Sequence, residues 1–485
     1  MNDNKHGGYE AFAEKWFKTR CAVEGQTAVH KAGEKFLPRL TDQTDNDYNG
    51  YKLRATYFNA TGRTLDGLVG MVFRKEMKLE YPDALEPLVE DIDLAGNSID
   101  MLAMRTIGDV IQVGRAGILV EYPQVTEAPT SQADVARMNL RPYTTYYPAE
   151  SILDWRVERV NNVMQPVMVK LAETYEIRKN EFEFDVKQQI RALLLTEIGY
   201  IQRIYRKNDK GDWVQIGGDI VPIMKGAPIP FIPFWAFGAK ENSLTLQDPP
   251  LLDLADMNLA HYRISADYER GCHFAGLPTP ILAGFMFDEG AKISLGSTTA
   301  LVTPDATAKW GFLEFTGQGL TSLKDNLKEK QSQMAALGSR ILAPEKTGVE
   351  SEGAMLIRHA GESSVLSAIV ELASENFEQI LMFMGSWFGV DGDVEVDFNK
   401  DFLPVPMDAQ QLDALMKAWQ AGGIPQEELF HALKRGEVIR NQTTYDEYLG
   451  GIEMDNETSI SGVASPDDAE PTVGVLSQIK QRLGL

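Results

Sequence analysis

Residues 249–342 decide the architecture of this chain. They begin PPLLDLADMNLAHYRISADYERGCHFAG (249–276), continue LPTPILAGFMFDEGAKISLGSTTALVTPDATAKWGFLEFTGQG (277–319) and end LTSLKDNLKEKQSQMAALGSRIL (320–342). The first part predicts a helix. Asp248 can cap it, proline suits its first turn, and Leu251, Leu254, Asn258, Tyr262 and Ser265 recur at three-to-four spacing until Gly276 and Pro278. The last part predicts a second helix with a narrow apolar seam of Leu320, Leu323, Leu327, Met334, Leu337 and Ile341. Lys324, Lys328 and Gln331 share its polar face, and Lys330 reads as part of the same solvated surface. Between the helices lie short β-type runs broken by glycine and proline. A helix, a small β unit and a returning helix describe a stalk with a tip, and the rest of the chain reads as the body that carries it.

Upstream, YEAFAEKWFKTRCAVEG is helical, and Tyr57, Leu65, Leu68 and Val72 fall at helical spacing. A helix from about Ser98 feeds the apolar strand AGILVEYP through Gly114 and Gly117. Strand-like runs alternate with polar breaks from 141 to 218, where Asn208-Asp209-Lys210-Gly211-Asp212 predicts a hairpin turn. IPFIPFWAFG (229–238) holds too many prolines for a central strand and reads as an edge strand or packed loop. Downstream, 353–390 reads as one long helix with Leu366, Ile369, Ala373, Phe377, Ile380, Met384 and Phe388 in register. The strand DVEVDFN (393–399) and a helical tail follow, and residues 453–470 are acidic without Lys or Arg. The fold class is therefore α+β.

A length of 485 residues calls for two to four structural units. A 44% hydrophobic and 24% charged composition is that of a soluble globular chain. No run is long and apolar enough to span a membrane, and MNDNKHGGYEAFAEKW has no apolar signal core. The two cysteines, Cys21 and Cys272, form neither a disulfide framework nor a metal-ligand spacing. A net charge of −23 argues against gripping nucleic acid but not against letting it slide past.

The sequence offers no catalytic motif. G-x-x-x-x-G-K-[ST], G-x-S-x-G, H-E-x-x-H and C-x-x-C are all absent. His261 and His273 share the first stalk helix without a Cys or carboxylate cluster, so they read as a surface or interface pair rather than a metal site. Carboxylates such as Asp253 and Asp256 are expected from composition, and Asp288-Glu289 reads as a solvated turn. The expectation is a non-enzyme with no cofactor and no metal. Trp310, Phe312 and neighbouring tip aromatics lack interleaved Lys/Arg, so they read as packing or protein-contact residues, not base-stacking platforms.

This order of parts resembles tailed-bacteriophage portal proteins. The phrases that carry the likeness are PPLLDLADMNLAHYRISAD, GESSVLSAIVELASENFEQIL and VDFNKDFLPVPMDAQQLDALMKAWQAGGIPQEELFHAL, with LRATYFNATGRTLDGLVGMVFRK and VGRAGILVEYPQ upstream. The resemblance spans about residues 45–450. It implies an α/β wing (1–248), a first stem helix (249–276), a clip (277–319), a second stem helix (320–342) and a tunnel loop (343–353). A long wing helix with a returning strand (354–407) and a helical crown with an acidic tail (408–485) complete it.

The resemblance also implies a homo-oligomeric ring, usually of twelve subunits, at one capsid vertex of the virion, assembled in the host cytoplasm. Double-stranded DNA would pass through it without sequence specificity. Terminase, a head-tail adaptor and the major capsid or scaffolding protein would be partners, with no membrane involved. Lys324, Lys328 and Gln331 would face DNA. Glu345, Lys346, Thr347, Gly348, Val349, Glu350 and Ser351 would form the tunnel loop, and Trp310 and Phe312 would meet adaptor or terminase. Twelve copies would carry roughly −276, a field that keeps phosphate from sticking. The runner-up is another phage head-tail structural protein, an adaptor or minor capsid component. A metal-dependent nuclease without a recognisable motif is the third reading.

Overall fold

The computed structural model describes residues 4–124, 131–276, 279–284, 305, 307–313, 318–340, 365–400, 402, 407, 409–436, 438–439 and 443–451. The chain is α+β and separates into two compact units. One comprises Met1–Phe73 with Met77–Lys400, the other Arg74–Glu76 with Asp401–Leu485.

The larger unit starts with α1 (Tyr9–Glu24), α2 (Gln26–Ala32), α3 (Asp45–Arg54) and α4 (Ala60–Val72). Tyr57 lies just ahead of α4 rather than on it. It is buried, and its hydroxyl donates to the Ala22 carbonyl at 2.8 Å. After β1 (Lys78–Glu80) and α5 (Glu86–Glu90), α6 runs Ile99–Val113. Ser98 takes the cap position but its side chain makes no cap hydrogen bond. Leu102, Ile107, Val110 and Ile111 form the buried face of α6. Gly114 ends it at φ +76, with a Cβ position only 3.0 Å from the Gln247 carbonyl, so both conformation and space require glycine.

The next strand, β2 (Arg115–Glu121), is buried at every position. After α7 (Gln132–Arg137) and β3 (Tyr143–Pro148) comes an antiparallel meander of β4 (Ile152–Val160), β5 (Val163–Arg178), β6 (Phe184–Thr196), β7 (Gly199–Lys207) and β8 (Trp213–Ile220). The hairpin expected at Asn208–Asp212 closes with Lys207 opposite Trp213. The short β9 (Ile223–Met224) and β10 (Ala227–Pro228) pair with each other. Then β11 (Phe234–Gly238) forms one edge of a β11-β2-β3 sheet, as its proline-rich approach predicts. Gly117 makes room there for the Phe234 ring, which a Cβ would meet at 2.2 Å.

Two charged networks are partly or wholly buried in this unit. Arg20 bonds Asp109, Glu150 and Gln112. Arg191 meets Glu121, Glu173 and Gln202, joining β6 to β2. Burial pulls the Arg191 pKa down and the two carboxylates push it up, and the carboxylates prevail.

The remaining elements are α8 (Leu252–Gly276), β12 (Thr279–Ala283), β13 (Lys309–Leu313), α9 (Gln318–Arg340), α10 (Val365–Phe388) and β14 (Glu395–Asp397). Residues 353–364, read from sequence as the start of α10, lie outside the described residues. The expected apolar face holds at Leu366, Ile369, Ala373, Phe377, Ile380 and Met384, all buried, while Phe388 is partly exposed. Phe377 meets Phe237 of β11 and Phe398 beyond β14, with ring centroids 5.3 and 5.8 Å apart. The pairing of β1 with β14 joins residues more than 300 positions apart. In the smaller unit, α11 (Ala409–Gln420) and α12 (Gln426–Arg435) pack through Leu412, Leu429 and Leu433, with Pro425 at the start of α12.

Candidate functional site: a helical hairpin and its tip

Helix α8 leaves the body in two stages. Its residues Leu254 to Ala266 include the buried ones, of which Leu259, Tyr262 and Ala266 pack with Tyr48, Tyr51, Tyr57 and the other α1–α3 residues of one core cluster. After Ala266 no residue of α8 is buried. Tyr51 of that core still reaches Asp267 and Arg270, so the last six residues, 271–276, extend about 9 Å past it. Asp248 does not cap this helix; it forms an ion pair with Lys15 of α1 instead. Asn258 is wholly buried and does cap work for α4. Its Oδ1 accepts from Ala60 N, Thr61 N and Thr61 Oγ1 at 2.9–3.1 Å, and its Nδ2 donates to the Phe58 carbonyl at 2.7 Å.

Helix α9 runs back along α8. A Cβ on Gly271 of α8 would lie 2.5 Å from Leu320 Cδ2, so the two helices are tightly apposed near the tip. At the other end, Gly338 faces Thr64 of α4, where α9 returns to the body. Met334 is buried, whereas Leu320, Leu323, Leu327 and Leu337 are half-covered. Most other positions of α9 are exposed and polar.

Lys324 and Lys328 lie on that exposed surface, and no ion pair joins either to a carboxylate among the described residues. Gln331 behaves differently. It is exposed overall, yet its Nε2 reaches to 3.4 Å from His261 Nε2 on α8. Lys330 departs further from the sequence reading. It falls between Leu327 and Met334 at three-to-four spacing, is half-covered, and places Nζ 3.9 Å from Met257 Sδ. It is a seam residue, not part of the solvated face. A spacing count that admitted any residue type would have found it; one restricted to apolar residues passed over it.

His261 was read as a surface or interface histidine and is instead 5% exposed. The Gln331 amide is the hydrogen-bond neighbour of ring Nε2, and Nδ1 is buried without a partner. Burial and then the Lys330 charge hold its pKa below the usual imidazole value. His273, twelve positions on, stays half-exposed near the Phe274 ring, so the two histidines form no joint site. Among the described residues there is no group of three or more His, Cys, Asp or Glu able to hold a metal. No helix among them is long and apolar enough to cross a membrane.

At the tip, β12 and β13 form an antiparallel ribbon with Leu282 opposite Trp310 and Pro280 opposite Phe312. Trp310 and Phe312 are two positions apart on β13. Trp310 is 67% exposed. Asp305 accepts from the backbone and hydroxyl of Thr307 in the turn before β13. The expected tunnel loop, Glu345, Lys346, Thr347, Gly348, Val349, Glu350 and Ser351, lies outside the described residues.

Comparison with known proteins adds little to this geometry. A family described as Domain of unknown function (DUF4055) matches residues 250–388, the hairpin and α10. No curated protein matches the chain. Among solved structures the chain is similar, at 11% identity and a TM-score of 0.41, to a chain in the neck of an empty GTA particle computed with C6 symmetry, covering 76% of this chain and 88% of that one. It is also similar to a chain in the virion of a native gene transfer agent (GTA) particle, at 10% identity and TM-score 0.39, covering 84% and 97%. A third likeness is to a chain in the neck of a native GTA particle computed with C12 symmetry, at 11% identity and TM-score 0.41, covering 85% and 98%.

Proposed function

We propose that this protein is a portal subunit: a phage head-tail structural protein that forms a ring at one capsid vertex and lets double-stranded DNA in and out. The observation that carries this reading is the α8–α9 hairpin. Two helices leave a body anchored by Asn258 and Tyr262, hold a β ribbon at their end and return at Gly338. One of them, α9, leaves most of its surface polar and uncovered. A helix polar on most sides has little reason to persist as a lone projection. In a ring, copies of it would line a wet channel, with Lys324 and Lys328 towards DNA and Gln331 beside the seam. The ribbon carrying Trp310 and Phe312 would meet the packaging motor and the head-tail adaptor. The overall −23 charge would limit phosphate adhesion along the route.

Negative-stain microscopy with mass photometry of the purified protein tests the proposal. Rings with a central hole and a mass near twelve subunits are expected. A monomer or dimer at micromolar concentration and at every salt concentration overturns it.

A further inference from the structure

The five-stranded sheet carries two exposed apolar patches that the hairpin reading does not use. Pairing of β4 with β5 reaches only to Leu171, and pairing of β7 with β6 only to Gln189. Beyond those points residues 174–178 and 184–188 pair with nothing but each other, so the β5–β6 hairpin projects as a bare two-stranded arm. Its tip sequence EFEFD (181–185) exposes Phe182 at 90% and Phe184 at 51%, and Val186 follows at 64%. A two-stranded ribbon with uncovered apolar side chains is marginal by itself and is stabilised by a surface to lie on.

The other end of the sheet is the β4–β5 turn, RVERVNNVM (156–164), where Val157, Val163 and Met164 are exposed. The register opposes Arg159 to Met164, so Arg159 shares a face with Met164 and Val157, while Arg156 and Val163 lie on the other face of the same end. The two patches differ in charge. Among the described residues Glu176, Glu181 and Glu183 of the arm have no ion pair, and neither do Arg156 and Arg159 at the far end. Acids outnumber bases over 176–185, and bases outnumber acids over 156–164. The patches lie at the two ends of β5, whose 16 residues separate them by about 50 Å. One chain cannot bring them together; two chains can.

We propose that the acidic, apolar β5–β6 arm of one copy docks on the basic, apolar β4–β5 end of the next. This is a head-to-tail contact between different surfaces, which closes into a ring when the rotation between copies permits. The inference rests on the ring reading and assigns it a subunit contact.

The test is mass photometry and negative stain of three full-length variants beside the wild type: E181R/E183R, R156E/R159E, and the four changes combined. All four positions are exposed, and circular dichroism checks that each variant folds. The expected result is at least a tenfold loss of rings for either end reversed alone, at a concentration where the wild type is assembled, with recovery when both ends are reversed. Rings of wild-type yield from the single-end variants overturn the contact and leave the ring reading standing. Loss without recovery in the combined variant also overturns it. A wild type that forms no rings overturns the portal reading and this contact together.

Discussion

Asn258 and Thr61, 197 positions apart, meet through a single oxygen: Asn258 Oδ1 accepts both the backbone N–H and the hydroxyl of Thr61, at 3.0 and 2.9 Å. Neither residue is exposed to solvent. The bond set fixes the start of α4 to the N-terminal part of α8, within the stretch of that helix that is buried in the body. Replacing Asn258 with Ala removes the partner of both Thr61 donors, while the Ala60 N–H and the Phe58 carbonyl keep their 2.8 Å bond to each other. A loss of about 3 kcal/mol is expected. Thermal unfolding of the variant checks this, and a melting temperature within a degree of wild type would contradict it.

Stability is expected to fall as pH drops through the histidine range, and His261 is the residue responsible. Its folded pKa lies below the ordinary 6.5 because burial and Lys330 both disfavour the charged ring. Between that lowered value and 6.5 the unfolded chain binds a proton that the folded chain does not, so stability rises with pH across this window and is lost on acidification. His261→Gln should flatten the profile between pH 7.5 and 5. Equal slopes for variant and wild type in a series of unfolding midpoints would assign the effect elsewhere.

Lys330→Met places an apolar side chain at the same seam position, beside Met257 and above Met334. A gain of up to about 1 kcal/mol is expected, since a charged residue in an apolar seam is tolerated at a cost in stability. It should also raise the His261 pKa by removing the neighbouring cation. Two-dimensional NMR titration of the ring protons measures that shift directly.

Arg191→Met tests the buried network between β6 and β2. It leaves Glu121 and Glu173 facing each other without a counter-charge, and a loss of about 3–5 kcal/mol is expected. Adding Glu121→Gln should recover part of that loss. An additive double variant, no more stable than the sum of its parts, would show that the charges do not interact.

Lys324→Glu with Lys328→Glu separates fold from function. Both side chains are exposed, so unfolding should change by no more than about 0.5 kcal/mol. DNA packaging in a complementation assay should nonetheless fall several-fold if these lysines face DNA. Unchanged packaging would remove them from the proposed channel.

Much of this fold was legible because its signals are local. The 208–212 turn, the proline-laden approach to β11, the buried face of α10 and both hairpin helices follow from periodicity and punctuation within a few residues. What escaped was long-range. Nothing near Asn258 announces Thr61, nothing near Lys78 announces Asp397, and Glu121 is one acid among many until the sheet sets Arg191 beside it. Lys330 escaped for a different reason. Its position obeyed the period, but its chemistry did not, and a long side chain can lay its stem in a seam while its charge reaches the edge. The capping role read into Asp248 failed because the helix begins at Leu252, whose N–H bonds the Pro249 carbonyl, and Asp248 pairs with Lys15 instead.

The hairpin also has a meaning for how such a chain can change. Leu282 and Trp310 stand opposite each other, and a Cβ on Gly284 would lie 3.0 Å from Ala308 Cα, so the segment between them begins and ends at nearly one point. Lengthening a segment closed in this way costs only about 0.6 kcal/mol per doubling. The tip is thus an exchangeable fitting. Its length and sequence can drift while the two helices, and the body that roots them, keep every contact they have.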